Sequence, residues 1–334
     1  MKKYDNLSPQ GQQELAWTQK RVNYHNRQAK GTDVWMEQAQ NVLKKKMEDA
    51  RLLQIFTPLH LKEDPVTEFL FENPVLNKIH SMYCDLYEEL PYRPDMAFDV
   101  VWRSFEILSK YYSREVLGNK NIGDVVMFNK ISLEAISNLL KSDNKLDAEF
   151  KELMSSIPDT TLRFMVVRLY VKRELGVLPQ LGPIKDRAKK LLSEELYDAF
   201  YGTYFDAEGN LPIADHRRAV SKMRSILNGE FFELNGEHFK PLDLEVRIEL
   251  IISCLLYVSR CERYHGDYFS QLKSSMAKQV TYHNFYYLVT MTDLLFWMVW
   301  YQFAAHKGLS QIFSLEQLAD CSKQRRANLT TIFG

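Results

Sequence analysis

Tyr257-Val258-Ser259-Arg260-Cys261-Glu262-Arg263-Tyr264-His265-Gly266-Asp267 stands between two strongly apolar runs, Ile248–Leu256 before it and Leu294–Ala305 after it. Apolar residues in both runs recur at helical spacing, so the stretch marks a junction between two long helices. Working outward, the chain has only 13 glycines and 11 prolines in 334 residues, which fits long helices better than a many-turned β fold. Within the junction, Arg260 and His265 are suited to one task. A permanently charged guanidinium can hold a phosphate bidentately, and an imidazole titrates near neutral pH and can pass protons. On an unbroken helix, positions five apart point about 140° from each other. Convergence on one phosphate therefore requires that the helix break near Tyr264–Gly266, or that a second copy of the chain supply part of the site.

Arg260-Cys-Glu-Arg-Tyr-His265-Gly266 resembles the R-x4-6-H signature of the HEPN superfamily, all-helical proteins that include many prokaryotic defence and toxin ribonucleases. The flanks share the resemblance: Ile248–Tyr257 runs into the motif, and Pro91–Glu106 is similar to the first core helix of the longer HEPN proteins. Cys261 stands where many members carry a polar residue, often asparagine. The resemblance covers roughly residues 75 to 308 and implies metal-independent RNA cleavage, with no cofactor and no metal. Attack by the ribose 2′-hydroxyl would leave a 2′,3′-cyclic phosphate. His265 would be the general acid or base and Arg260 the group that stabilises charge on phosphate. Arg263, Tyr264, Cys261 and Glu106 are candidate supporting residues. The implied partners are RNA, a second copy of the chain in a homodimer, and an antitoxin or other defence-system protein. The reading from a different class is a non-catalytic HEPN-like scaffold that binds RNA or a protein.

The fold expected is all-α: a HEPN-like helical bundle with an N-terminal helical extension and one small inserted β-hairpin at about 231–239. Residues 1–70 would hold a polar segment and the extension, 71–310 the helical domain, and 311–334 a short C-terminal helix and tail. Helical patterns begin at Asp33 and cover 74–90, 96–117, 124–142, 146–155, 160–175, 184–201, 215–227, 244–264 and about 270–306. Gly118 sits where a C-cap glycine belongs. Asn235-Gly236 reads as a two-residue hairpin turn, because both positions tolerate positive φ. Ser314-Leu-Glu-Gln317 has capping-box spacing.

Lysine plus arginine and aspartate plus glutamate balance at 43 each, so there is no overall basic field of the kind that marks a general nucleic-acid binder. RNA contact must then come from local patches. The candidates are Lys185, Arg187, Lys189 and Lys190 in one helix, and Arg217, Arg218 and Lys222 in another. Tyr282–Tyr287 offers aromatic rings, read as packing beneath the motif rather than as stacking platforms. The scattered Cys84, Cys254, Cys261 and Cys321 form no C-x-x-C pair, and His265 and His283 lack neighbours at zinc-ligand spacings. With no apolar signal region, and with Leu294–Ala305 too short to span a bilayer, the expectation is a reduced cytoplasmic protein with no membrane partner.

Overall fold

The computed structural model describes residues 35–119, 123–170, 182–264, 278–309 and 312–334, with a few isolated positions between 12 and 26. Among these the protein is all-α apart from one two-stranded hairpin. The helices are α1 (Trp35–Asp49), α2 (Glu63–Glu72), α3 (Pro74–Cys84) and α4 (Pro94–Glu115). Next comes α5, which runs Asp124–Lys130, continues through π-helical turns at Ile131–Ser137 and ends at Asn138–Ser142. It is followed by α6 (Asn144–Ser155), α7 (Asp159–Tyr170), α8 (Gly182–Leu192), α9 (Glu194–Tyr204) and α10 (His216–Asn228). Strands β1 (Phe232–Leu234) and β2 (Glu237–Phe239) precede α11, which runs Leu244–Glu249, passes through π-helical turns at Leu250–Leu256 and resumes as Tyr257–Tyr264. The last two are α12 (Gln279–His306) and α13 (Leu315–Phe333).

Helix α12 is the axis of the fold. From Phe285 to Trp300 it is buried without a break and mostly apolar on all sides, as a helix enclosed by others must be. Helix α4 runs parallel to it: Tyr286 Oη donates to the Pro91 carbonyl at 2.8 Å at one end, and Tyr111 stacks on Phe303 at 5.1 Å at the other. Helices α3 and α13 run antiparallel to α12. Tyr83 of α3 stacks on Phe296 at 4.6 Å, while Phe313, just before α13, and Phe333, its last residue, meet Trp297 and Tyr286 respectively. No helix among the described residues is long and apolar enough to cross a membrane.

One buried ion pair lies in this aromatic core. Asp293 of α12 and Arg325 of α13 are both fully buried and bonded to each other. Tyr83 Oη donates to the other Asp293 oxygen, and Trp297 Nε1 donates to Tyr83 Oη at 3.1 Å. Arg325 Nε donates to the Thr57 carbonyl at 2.7 Å, and its guanidinium lies 3.9 Å from the centre of the Phe56 ring. Burial raises the Asp293 carboxyl pKa, against the opposing pull of Arg325 and Tyr83. The charged pair thus depends on its complete set of neighbours.

Several local expectations hold. The hairpin pairs Phe232 with Phe239 around Asn235 and Gly236, whose φ angles are 52° and 82°. Ser314 and Gln317 cap α13 reciprocally, and Gly118 adopts φ 67° just past α4. Other boundaries differ. The helix expected over 74–90 ends at Cys84 and is followed by a separate turn, Leu86–Glu89. The one expected over 184–201 breaks at Ser193, which takes φ 70° and accepts from the Leu196 N–H to start α9. The C-terminal helix is not a short appendage but 19 residues long, buried against α12 and α6. One contiguous core includes residues from Leu43 to Ile332.

Candidate functional site

The motif helix α11 is locally unwound before it reaches Arg260. Its π-helical turns are closed by the Tyr257 N–H bonding to the Ile252 carbonyl, five residues back. Such turns are rare and costly, and they concentrate where a helix must present its next face at a particular angle. Every residue from Leu250 to Leu256 is buried, so packing on all sides can hold the wider turn in place. Ser253 Oγ returns a bond to the Glu249 carbonyl at 2.7 Å and Ser259 Oγ one to Leu255 at 2.7 Å.

Beyond the π-helical turns, α11 lies beside α4 with the two chains running the same way. Tyr257 packs 6.1 Å from Trp102 and 5.8 Å from Phe128, ring centre to ring centre. One turn further along both helices, Arg260 Nη2 lies 3.9 Å from Glu106 Oε2. Glu106 is held on both oxygens: Trp102 Nε1 donates to Oε2 at 3.2 Å and Lys110 Nζ to Oε1 at 2.6 Å. The Arg260 side chain keeps 26 % of its surface open to solvent. The guanidinium is thus partly open to solvent and backed by a braced carboxylate at a 3.9 Å ion-pair distance.

A second polar cluster flanks the same helix. Glu249 is buried at the start of the π-helical turns, where Asn129 Nδ2 of α5 donates to its Oε2 at 2.5 Å. Burial raises the Glu249 pKa, opposed by the Asn129 bond and by the charges of Lys190 and Arg187. Arg187 of α8 lies across this face. Its Nη1 donates to the Ser253 carbonyl at 2.9 Å and its guanidinium carbon sits 5.4 Å from the centre of the Tyr257 ring. Burial also pushes the Cys254 thiol up to about 11, leaving it a neutral packing group.

The structure brings Arg260, Glu106 and Arg187 to one region. Cys261 is half-buried with a free thiol. Arg263 and Tyr264 continue the helix, but their side chains lie outside the described residues, as does the whole of His265. The remaining basic candidates divide. Lys189 is neutralised by Glu194 and Asp198, both at 3.1 Å. Lys185 is half-buried, and Lys190 is exposed one turn from Arg187. Arg217, Arg218 and Lys222 belong to α10, whose C-terminal end meets α11 where Arg247 Nη1 bonds the Leu227 carbonyl at 3.1 Å. That junction is 13 residues from Arg260, or roughly 20 Å along the helix. At the opposite end of α10 Arg218 pairs with Asp215 at 2.9 Å, and mid-helix Lys222 covers the Phe232 ring. Helix α10 packs chiefly on α7 and α6 rather than on α4, which carries Glu106. Tyr282, Phe285, Tyr286 and Tyr287 are buried and offer no ring for a base.

Two features of the site were not read from sequence. The Trp102–Glu106–Lys110 brace has a signal, since its members are spaced four apart on one helix face. The docking of Arg187 on Tyr257 has none, because it joins helices 70 residues apart. Among the described residues no group of three or more His, Cys, Asp and Glu side chains is placed to hold a metal ion. Compared with family models, with curated proteins and with solved structures, the chain matches none.

Proposed function

We propose that this protein is an endoribonuclease of the HEPN type, acting as a homodimer in which the Arg260–His265 motifs of two copies face one cleft. The observation that carries the reading is the state of Arg260: partly open, at 3.9 Å from a carboxylate whose own oxygens are held by Trp102 and Lys110. A guanidinium kept oriented and accessible is suited to phosphate oxygens as charge develops on them. In the reaction, the ribose 2′-oxygen bonds to phosphorus as the bond to the 5′-oxygen breaks. A base removes the 2′-hydroxyl proton, and an acid supplies one to the departing oxygen. His265 fills one of these roles and a group from the partner copy fills the other. The products are a 2′,3′-cyclic phosphate and a 5′-hydroxyl, and DNA is spared because it lacks the attacking hydroxyl. A role in prokaryotic antiviral defence or a toxin–antitoxin pair, with an inhibitory protein partner, fits the same reading.

The test is cleavage of a structured RNA in EDTA by the parent, Arg260→Ala and His265→Ala, with product ends identified. The expected result is cyclic-phosphate ends from the parent and at least about a hundredfold slower cleavage by each variant. Variants that cut as fast as the parent would overturn the assignment of these residues. A parent that binds RNA or a protein but never cuts would favour the scaffold.

A further inference from the structure

The strongest unexplained feature outside the motif is Arg187. It is half-buried and, among the described residues, forms no ion pair. Its Nε is buried without a hydrogen-bond partner. Its nearby acid, Glu249, is instead bonded to Asn129. The Glu249 carboxylate is near enough to act on Arg187 through space but does not bond it, so the half-buried guanidinium still gains when a further anion joins it. Its location indicates which anion. Arg187 rests on the ring of Tyr257, and Arg260 is one helical turn beyond Tyr257 on the same face of α11. Lys190 extends the positive charge from Arg187 along α8.

We propose that Arg187, together with Lys190, binds a phosphate of the RNA strand next to the one held by Arg260, so that α8 and α11 form a two-phosphate track. The inference rests on the ribonuclease reading and adds the residues that position the strand. Tyr257 serves here as a support and not as a stacking platform. Trp102, Phe128 and Arg187 surround its ring, leaving no face for a base. Recognition along this track is therefore of the backbone and tolerates different base sequences. It also separates Arg187 and Lys190 from Lys189, which Glu194 and Asp198 neutralise, and from Lys222 of α10, which lies over the Phe232 ring.

The experiment measures binding of a fluorescent, fully 2′-O-methylated single-stranded RNA, which cannot be cleaved by 2′-hydroxyl attack, at several salt concentrations. The full chain is compared with Arg187→Gln, Arg187→Lys and Lys222→Gln, and the melting temperature of each is recorded. Arg187→Gln is expected to weaken binding about tenfold, as loss of a charge-assisted contact does, and to reduce the slope of log K against log salt by about one. Arg187→Lys keeps the charge and so keeps the slope, whereas a purely structural role would make it as damaging as Arg187→Gln. Lys222→Gln is expected to match the parent. If the parent binds and Arg187→Gln binds equally well with the same slope, the track is refuted and the ribonuclease reading stands. If the parent does not bind the RNA and does not cleave its unmodified counterpart, both fall together.

Discussion

Asp293→Asn would preserve the shape of the residue and an acceptor for Tyr83 while removing the charge that balances Arg325. The guanidinium would then be fully buried with only the Thr57 carbonyl at 2.7 Å and the Phe56 ring at 3.9 Å to replace the carboxylate. Breaking a buried pair from one side generally costs about 3 to 5 kcal/mol. The retained carbonyl and ring contacts place Asp293→Asn near the lower end, about 3 kcal/mol. Arg325→Met leaves a different problem, because a carboxyl can neutralise itself by taking up a proton. Burial already raises the Asp293 pKa, and loss of Arg325 removes the main influence holding it down. The native state of Arg325→Met therefore binds a proton more readily than the unfolded chain. Its stability should be greatest below the ordinary carboxyl range and fall as pH rises toward the raised native value, by up to about 1.4 kcal/mol per unit. The Asp293→Leu/Arg325→Met double variant removes both charges, and the groups left behind keep partners: the Tyr83 hydroxyl has Tyr87 at 3.2 Å and the Thr57 carbonyl has the Cys321 thiol at 3.4 Å. Its total loss should be at least 2 kcal/mol smaller than the sum of the singles. Guanidinium chloride unfolding followed by far-ultraviolet circular dichroism at pH 5, 7 and 8 measures all of these. Singles that each cost under about 1 kcal/mol, or that simply add in the double, would refute the claim that the pair is held as buried charges.

Two further outcomes can be checked with the same apparatus. Gly229 ends α10 at φ 70°, and a Cβ there would lie 2.8 Å from the Arg247 Cζ. Gly229→Ala should cost about 2 kcal/mol through backbone strain and displacement of the Arg247–Leu227 bond. Gly229→Asn, which tolerates this conformation better, should report the crowding alone. His80 and His283 both have pKa values lowered by burial. The native state therefore resists protonation, and the contribution of these rings is complete above about pH 6.5 and lost as pH falls below it. The unfolding midpoint should drop between pH 7.5 and 5.5, and the His80→Gln/His283→Gln variant should show a smaller drop.

What sequence made legible was governed by local rules. Asn235-Gly236, Gly118 and Ser314–Gln317 each satisfy a backbone need within a few residues, so spacing suffices to place them. The apolar recurrence in 248–256 and 294–305 marked the two helices around which the rest is organised. Features set by packing were not legible. The π-helical turns at Leu250–Leu256 look like ordinary helical sequence, because burial on all sides rather than residue type favours the wider turn. Ser193 interrupts a continuous helical pattern because its hydroxyl can begin a new helix. Of the candidate site, Glu106 could be placed beside the motif only as one possibility among several, and Arg187 was indistinguishable from its basic neighbours until α8 was set against α11.

The pairing of Asp293 with Arg325 also imposes an order on synthesis. The two are 32 positions apart, and Asp293 is made first. While a ribosome still shields α13, the carboxylate on α12 has no counter-charge, and the aromatic helix around it cannot complete its packing. The nascent chain must therefore keep α12 incompletely buried until the later helix emerges. During that interval Phe296, Trp297 and Trp300 are open to wrong partners, the condition under which incompletely packed chains aggregate.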